Sequence, residues 1–141
     1  MLFPTRVPGA GPLDSKLWII GEAPGETEIQ EGQPFVGYTG RYLRDKCLGQ
    51  GLDITQVYKD NLIQFRPGKN KFDAEFEILH KEDIYKGLAE LKEKIKQFKP
   101  HLVLGVGEKS LKYLTGNLSI TEWRGHVLWN EELKTKFLFT F

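Results

Sequence analysis

The sequence predicts an α/β protein whose mostly parallel sheet carries helices on both faces. Three observations predict it. The strand-like runs are continuously apolar rather than alternating, as in "KLWIIG" and "HLVLGVG", which is the pattern of strands covered on both sides. These runs alternate with stretches of helical spacing, the order that parallel crossovers require. The three clearest strands each run into an unusual loop, "GEAPGETE", "FRPGKNK" and "GVGEKS".

The elements follow in order. Residues 1–15, rich in proline and glycine, read as an irregular lead-in, and residues 16–141 read as one folded domain. Lys16 to Gly21 is the first strand, stopped by glycine, and a Gly/Pro loop follows it. In "TGRYLRDKCLGQG" the residues Tyr42, Leu43, Cys47 and Leu48 share helical spacing, and Gly49 and Gly51 end the helix. Val57 to Phe65, β-branched and aromatic at its core, is the second strand, closed by Pro67 and Gly68. A long polar loop leads into a helix from about Asp83 to Phe98, on which Ile84, Leu88, Leu91, Ile95 and Phe98 recur at three- and four-residue steps. Pro100 ends it. His101 to Gly107 is the third strand and "EKSLKYLTG" a short helix; "GHVLW" and "KFLFTF" are two last strands about the acidic turn "NEEL".

Bulk composition narrows the function classes. The 141 residues fit one domain. Basic and acidic residues number 20 and 19, so global charge announces no polyanion partner, while a local basic patch stays open. The single cysteine, Cys47, excludes an internal disulfide and a cysteine-built metal centre, and it suits a reducing compartment. Met1 is followed by neither a basic segment nor a long apolar run. The expectation is a cytoplasmic chain with no signal peptide and no membrane span.

In open parallel sheets ligands bind beyond the carboxyl ends of the strands, which is where the three unusual loops fall. The first is no phosphate cradle, since a Walker loop needs a Gly-Lys-Ser/Thr ending that "GEAPGETE" lacks. "GVGEKS" offers a lone Gly-X-Gly, and its Lys109 and Ser110 read better as the start of a helix. What the first loop offers is stiffness: Pro24 and Pro34 remove freedom, and its glycines let a ligand approach the backbone. Glu22 just past the strand and Phe35 in "QPFVG" would suit a planar polar ligand, stacked on the ring with the acid at its edge. The residues equally allow Phe35 as a core plug and Glu22 as an acid at a helix N-terminus. On chemistry alone the choice stays open.

"GEAPGETEIQEGQPFVGYTGRYL" resembles the first motif of the family 4 uracil-DNA glycosylases: Gly-Glu-Ala-Pro-Gly, a spaced Glu, then Gly-X-Pro-Phe-Val-Gly-X-X-Gly and a leucine. Gly21 to Gly25, Glu28, Gly32, Pro34 to Gly37, Gly40 and Leu43 match it. "VYKDNLIQFRPGKN" resembles the family strand bearing Thr-Asn, Lys-Cys-Arg-Pro and Gly-Asn, which places Asn61, Arg66, Pro67 and Asn70. "KPHLVLGVGEKSLKYLTG" and "ITEWRGHVL" are similar to the segments that follow, so the resemblance runs from about residue 16 to the end.

The resemblance implies a three-layer α/β/α fold around a central, mostly parallel four-stranded sheet. It implies DNA containing uracil or modified uracil as partner, the base flipped into a pocket and its N-glycosidic bond hydrolysed. Glu22 and Asn61 would be the catalytic residues, Glu22 at the sugar and Asn61 hydrogen-bonding the uracil edge. Phe35 would stack on the base, and Gly21, Ala23, Pro24 and Gly25 would line the pocket with Asn61. Arg66, Lys69 and Lys71 would hold phosphates, the plainer reading being solvated surface charge. A monomer without metal, cofactor or membrane contact is expected.

Two departures qualify this. Family members usually bind a four-iron cluster through four cysteines, whereas here Phe65 stands at the Lys-Cys-Arg-Pro cysteine and Cys47 is at no cluster position. An apolar Phe65 suggests a simply packed region. The family's His-Pro motif would be expected just after "KFLFTF", which ends at Phe141, and none of His80, His101 and His126 is placed to substitute. The expectation is therefore a C-terminally trimmed domain. Similar domains occur ahead of DNA polymerases in some bacteriophages, which would imply a covalently linked polymerase domain and a host cytoplasm. A non-catalytic DNA-binding or polymerase-accessory module that keeps the pocket is the rival reading. A small-nucleotide hydrolase is a third, and it lacks the metal-binding carboxylate pattern.

Overall fold

A computed structural model describes residues 5–68, 71–117 and 119–141. Five strands form one sheet: β1 (Leu17–Gly21), β2 (Tyr58–Asn61), β3 (Leu102–Val106), β4 (Val127–Asn130) and β5 (Thr135–Thr140). Their order is β2-β1-β3-β5-β4. The first four of that order are parallel, as a mostly parallel sheet requires, and β4 adds an antiparallel edge strand, with Leu128 opposite Phe137, so the sheet has five strands where four were expected. The order reverses between β1 and β3, because the chain leaves β1 for β2 on one side and then crosses to β3 on the other. That boundary is the switch point at which open sheets bind ligands.

The helices are α1 (Glu26–Glu31), α2 (Tyr38–Gly49), α3 (Ala74–Leu79), α4 (Lys81–Phe98), α5 (Glu108–Thr115) and α6 (Ile120–Trp123). On one face Trp18 and Ile20 of β1, Val103 of β3 and Phe137 and Phe139 of β5 pack against Leu88, Leu91 and Ile95 of α4, Leu111 and Leu114 of α5 and Ile120 of α6. Ile19 of β1 points the other way, into a smaller cluster with Ile54, Val57, Val106 and, from α2, Leu43 and Cys47. Helices thus lie on both faces, as the uniformly apolar strands required. The second face is left open over β5 and β4, where Val127 and Trp129 are more than half exposed beside their partners Leu138 and Lys136. Among the described residues no helix is long and apolar enough to cross a membrane.

Several boundaries differ from the sequence reading, each for a local reason. The second strand stops at Asn61 rather than Phe65, since β1 ends at Gly21 and offers no further ladder. Leu62 and Ile63 bond instead to the carbonyls of Gly21 and Glu22, at 2.9 and 3.2 Å. The first loop contains α1 and the polar loop contains α3. Neither has the apolar stripe that periodicity detects: α1 buries no residue and α3 only Phe76. Caps hold them instead. Asp73 accepts the Phe76 N–H at 2.9 Å, and Glu28 in the first turn of α1 accepts the N–H of the N-cap residue Gly25 at 2.9 Å. The lead-in is irregular but not loose. Ala10 and Lys59 exchange backbone hydrogen bonds of 2.9 and 2.8 Å, and Val7 is fully buried, so this segment covers the outer edge of β2.

Candidate active site

The carboxyl ends of all four parallel strands meet at one cavity of about 360 Å³. Gly21 and Glu22 reach it from the end of β1, Asn61 from β2, Val106 and Gly107 from β3, and Phe141 from just after β5. The loop and the start of α2 complete the wall with Ala23, Gly25, Glu28, Phe35, Gly37, Tyr38, Thr39 and Gly40. The residues singled out in the sequence therefore converge, with two qualifications. Pro24 is buried in the same loop but does not line the cavity. Arg66 and Lys71 do not line it either: both are exposed, Lys71 borders a separate surface groove with Asp73 and His80, and Lys69 lies outside the described residues. None of the three histidines lines the cavity.

Gly21 explains how a ring and an amide share so small a space. A Cβ at this position would stand 2.6 Å from Asn61 Oδ1 and 2.7 Å from the Phe35 ring, so only a bare backbone admits both. Asn61 is 6 % exposed. Its backbone N–H is held by Asp60 Oδ1 at 2.7 Å, and Asp60 is itself held by the Tyr58 hydroxyl at 2.7 Å and Gln64 at 3.2 Å. Among the described residues the Asn61 side-chain amide makes no hydrogen bond. A nearly buried amide with its donors and acceptor unspent is poised for a ligand.

Glu22 is part-buried, and its Oε1 accepts the Lys109 backbone N–H at 3.2 Å from the first turn of α5. Burial pushes its pKa above the ordinary 4.5, against the pull of that N–H and of the Lys109 charge. Gly107, at φ 99°, makes room for it, since a Cβ there would overlap the carboxylate. Gly107→Ala is therefore expected to turn Glu22 away and to destabilise the fold by about 1–3 kcal/mol. A urea titration checks this, and a wild-type midpoint would show that the carboxylate tolerates the methyl. Lys109 is fixed in turn. Its Nζ bonds Glu77 of α3 at 2.9 Å, together with Lys112 at 2.7 Å and the Tyr113 hydroxyl at 2.6 Å. Burial alone would raise the Glu77 pKa; these three donors outweigh it and hold the carboxyl at about 2.

Glu28 is the residue whose role the sequence reading missed. Its Oε1 accepts the Gly25 N–H at 2.9 Å, and its Oε2 accepts the N–H of Val36 at 3.0 Å and that of Gly37. One carboxylate thus ties both ends of the loop, and Phe35 between them sits at φ 58°, a left-handed backbone that non-glycine residues rarely adopt. In the sequence Glu28 was marked only as a matching motif position; neither its bond to Gly25 nor its reach to Val36 and Gly37 left a signal there.

The profile of the Uracil DNA glycosylase superfamily matches residues 8–140. The chain belongs to this superfamily. A Type-4 uracil-DNA glycosylase of Saccharolobus solfataricus is 36% identical over 110 residues, covering 77% of this chain and 48% of that protein. A Type-4 uracil-DNA glycosylase of Sulfurisphaera tokodaii is 32% identical over 140 residues, covering 94% of this chain and 61% of that protein. A third, of Pyrobaculum aerophilum, is 32% identical over 108 residues, covering 77% of this chain and 52% of that protein. The chain thus spans about half the length of the curated relatives it matches.

The iron–sulfur cluster associated with family 4 of the superfamily does not fit these residues. Phe65 is 5 % exposed, with Phe76 at 6.0 Å, the His80 ring at 5.4 Å and the Arg6 guanidinium 5.8 Å from its centroid. Side chains fill the place a ligand would need, as an apolar residue there suggested. The one thiol, Cys47, packs on the opposite face against the Ile19 cluster.

Proposed function

We propose that this domain takes uracil, or a modified uracil, flipped out of DNA and hydrolyses its N-glycosidic bond. The observation that carries the reading is the convergence of Glu22, Phe35 and Asn61 on one cavity, of a size that suits a single base. The ring of Phe35 offers a stacking face. The Asn61 amide presents a donor and an acceptor to the edge on which uracil and cytosine differ. Glu22 supplies a negative charge where the sugar becomes cationic. Water adds to C1′ as the C1′–N1 bond breaks; the electron pair departs on uracil N1, and the Glu22 carboxylate takes a proton from the water. The names of the relatives support the substrate class. Arg66 and Lys71 are exposed on the loop beyond β2, where phosphates on that side of the DNA would meet them.

The test is release of uracil and of a 5-substituted uracil from single- and double-stranded oligonucleotides. No release of either base from either form would sink the proposal. Asn61→Ala is expected to lower the preference for uracil over cytosine by about 5- to 150-fold, since a good bidentate base contact gives roughly 1–3 kcal/mol of discrimination. Unchanged selectivity would move base reading to another residue.

A further inference from the structure

Helix α2 presents a second surface at the mouth of the cavity. Tyr38, its first residue, lines the cavity together with Thr39. One turn on, the Tyr42 ring lies nearly parallel to it, with centroids 6.4 Å apart and planes at 21°. One turn further, Lys46 Nζ stands 5.5 Å from the Tyr42 centroid. Positions four apart share a helix face, so the three form a stripe leading away from the cavity. Core packing does not account for it. Leu43 and Cys47 make the contacts to the sheet, while Tyr38 and Tyr42 are 79 % and 56 % exposed. Arg41 and Arg44 flank the stripe and are exposed as well, with Arg44 Nε 3.6 Å from the exposed Asp45. Helix α1, which borders the same cavity through Glu28, exposes Glu26 and Glu31. A polyanion at this mouth is repelled by α1 and attracted by α2.

We propose that this face of α2 is the track for a single DNA strand where it leaves the cavity. The unpaired bases beside the extruded nucleotide stack on Tyr38 and Tyr42, and their phosphates lie along Arg41, Arg44 and Lys46. Interleaved aromatics and cations are the chemistry by which proteins hold single strands without reading their sequence. In a duplex the same bases are stacked on their neighbours and cannot reach the tyrosines, so the track favours unpaired DNA. Its anchor point rests on the uracil reading of the cavity.

The test is fluorescence anisotropy with a labelled single strand of about 15 nucleotides carrying one central deoxyuridine, and with its duplex. Wild type is expected to bind the single strand more tightly. Tyr42→Ala is expected to weaken single-strand binding roughly tenfold, and Tyr42→Phe, which keeps the ring, to restore it. The double variant Arg41→Ala/Arg44→Ala is expected to flatten the slope of log affinity against log salt by about 1.4, at roughly 0.7 per lost phosphate contact. Wild-type affinity in Tyr42→Ala with a wild-type salt slope in the double variant overturns the track, as does a wild type that does not bind the strand. Uracil release, measured in parallel, separates the two proposals. Tyr42-dependent binding without release keeps the track and removes the glycosylase reading; release with Tyr42-independent binding does the reverse.

Discussion

Glu22→Gln is expected to lower uracil release by about 10²–10⁴-fold, the range for loss of a positioned general base, and to leave the melting temperature equal or higher. The two halves of this result have one cause. The carboxylate is part-buried at the switch point, and burial raises its pKa above 4.5. A carboxyl whose pKa is higher in the fold than in the unfolded chain stabilises the fold while protonated. That contribution is fully present below the unfolded pKa and is lost as pH rises through the folded one. At neutral pH the charge is therefore held at a cost in stability, which glutamine removes while keeping an oxygen to accept the Lys109 N–H. The same shift sets the rate profile. Wild-type uracil release should rise with pH through an apparent pKa above 4.5, and the residual activity of Glu22→Gln should lack that limb. A variant that loses stability and keeps its activity would show that Glu22 is a structural acid at the start of α5's hydrogen-bond network and no part of the chemistry.

The contrast between Glu22 and Glu28 shows what was legible in the sequence. Strands were legible where burial on both faces made them uniformly apolar, so Leu17–Gly21 and Leu102–Val106 were placed within a residue, as was the end of α4 at Phe98. The positions of Glu22 and Gly107 followed from the rule that loops after parallel strands gather at one edge, whereas Asn61, read as lying inside a strand running to Phe65, was marked only by the family resemblance. Helix α1 was not legible, because it buries nothing and is held by a carboxylate and two loop ends far apart in the chain. Nor was the β2 edge cover: Ala10 and Lys59 are paired by backbone groups, which leave no pattern in side chains. Phe35 could be read either as a core plug or as a stacking face, and the structure shows why both readings were open. The ring packs beside the Ile19 cluster and also borders the cavity.

Glu28→Ala is expected to destabilise the domain by about 3 kcal/mol or more and to abolish uracil release with it. Three backbone N–H groups converge on this one carboxylate, and a charged acceptor contributes roughly 1.5–3 kcal/mol for each hydrogen bond it satisfies; partial exposure of the site lowers the sum below the simple total. Glutamine should not rescue it. All three partners are donors, on both carboxylate oxygens, so an amide must turn its NH₂ toward either Gly25 or the Val36–Gly37 pair. The loss reaches the cavity because Phe35 sits directly before Val36 at φ 58°, a conformation that persists when its surroundings impose it. With the tie to Val36 and Gly37 gone, the backbone relaxes and the ring leaves the position that Gly21 clears for it. Urea unfolding should place Glu28→Ala and Glu28→Gln well below wild type, with Glu31→Gln, an exposed acid on the same helix, unchanged. Limited proteolysis should cut both Glu28 variants within residues 25–37. A Glu28→Gln protein as stable and active as wild type would mean that the loop holds its shape through Pro24 and Pro34 alone, and that the clamp is a consequence of the site's geometry and not its cause.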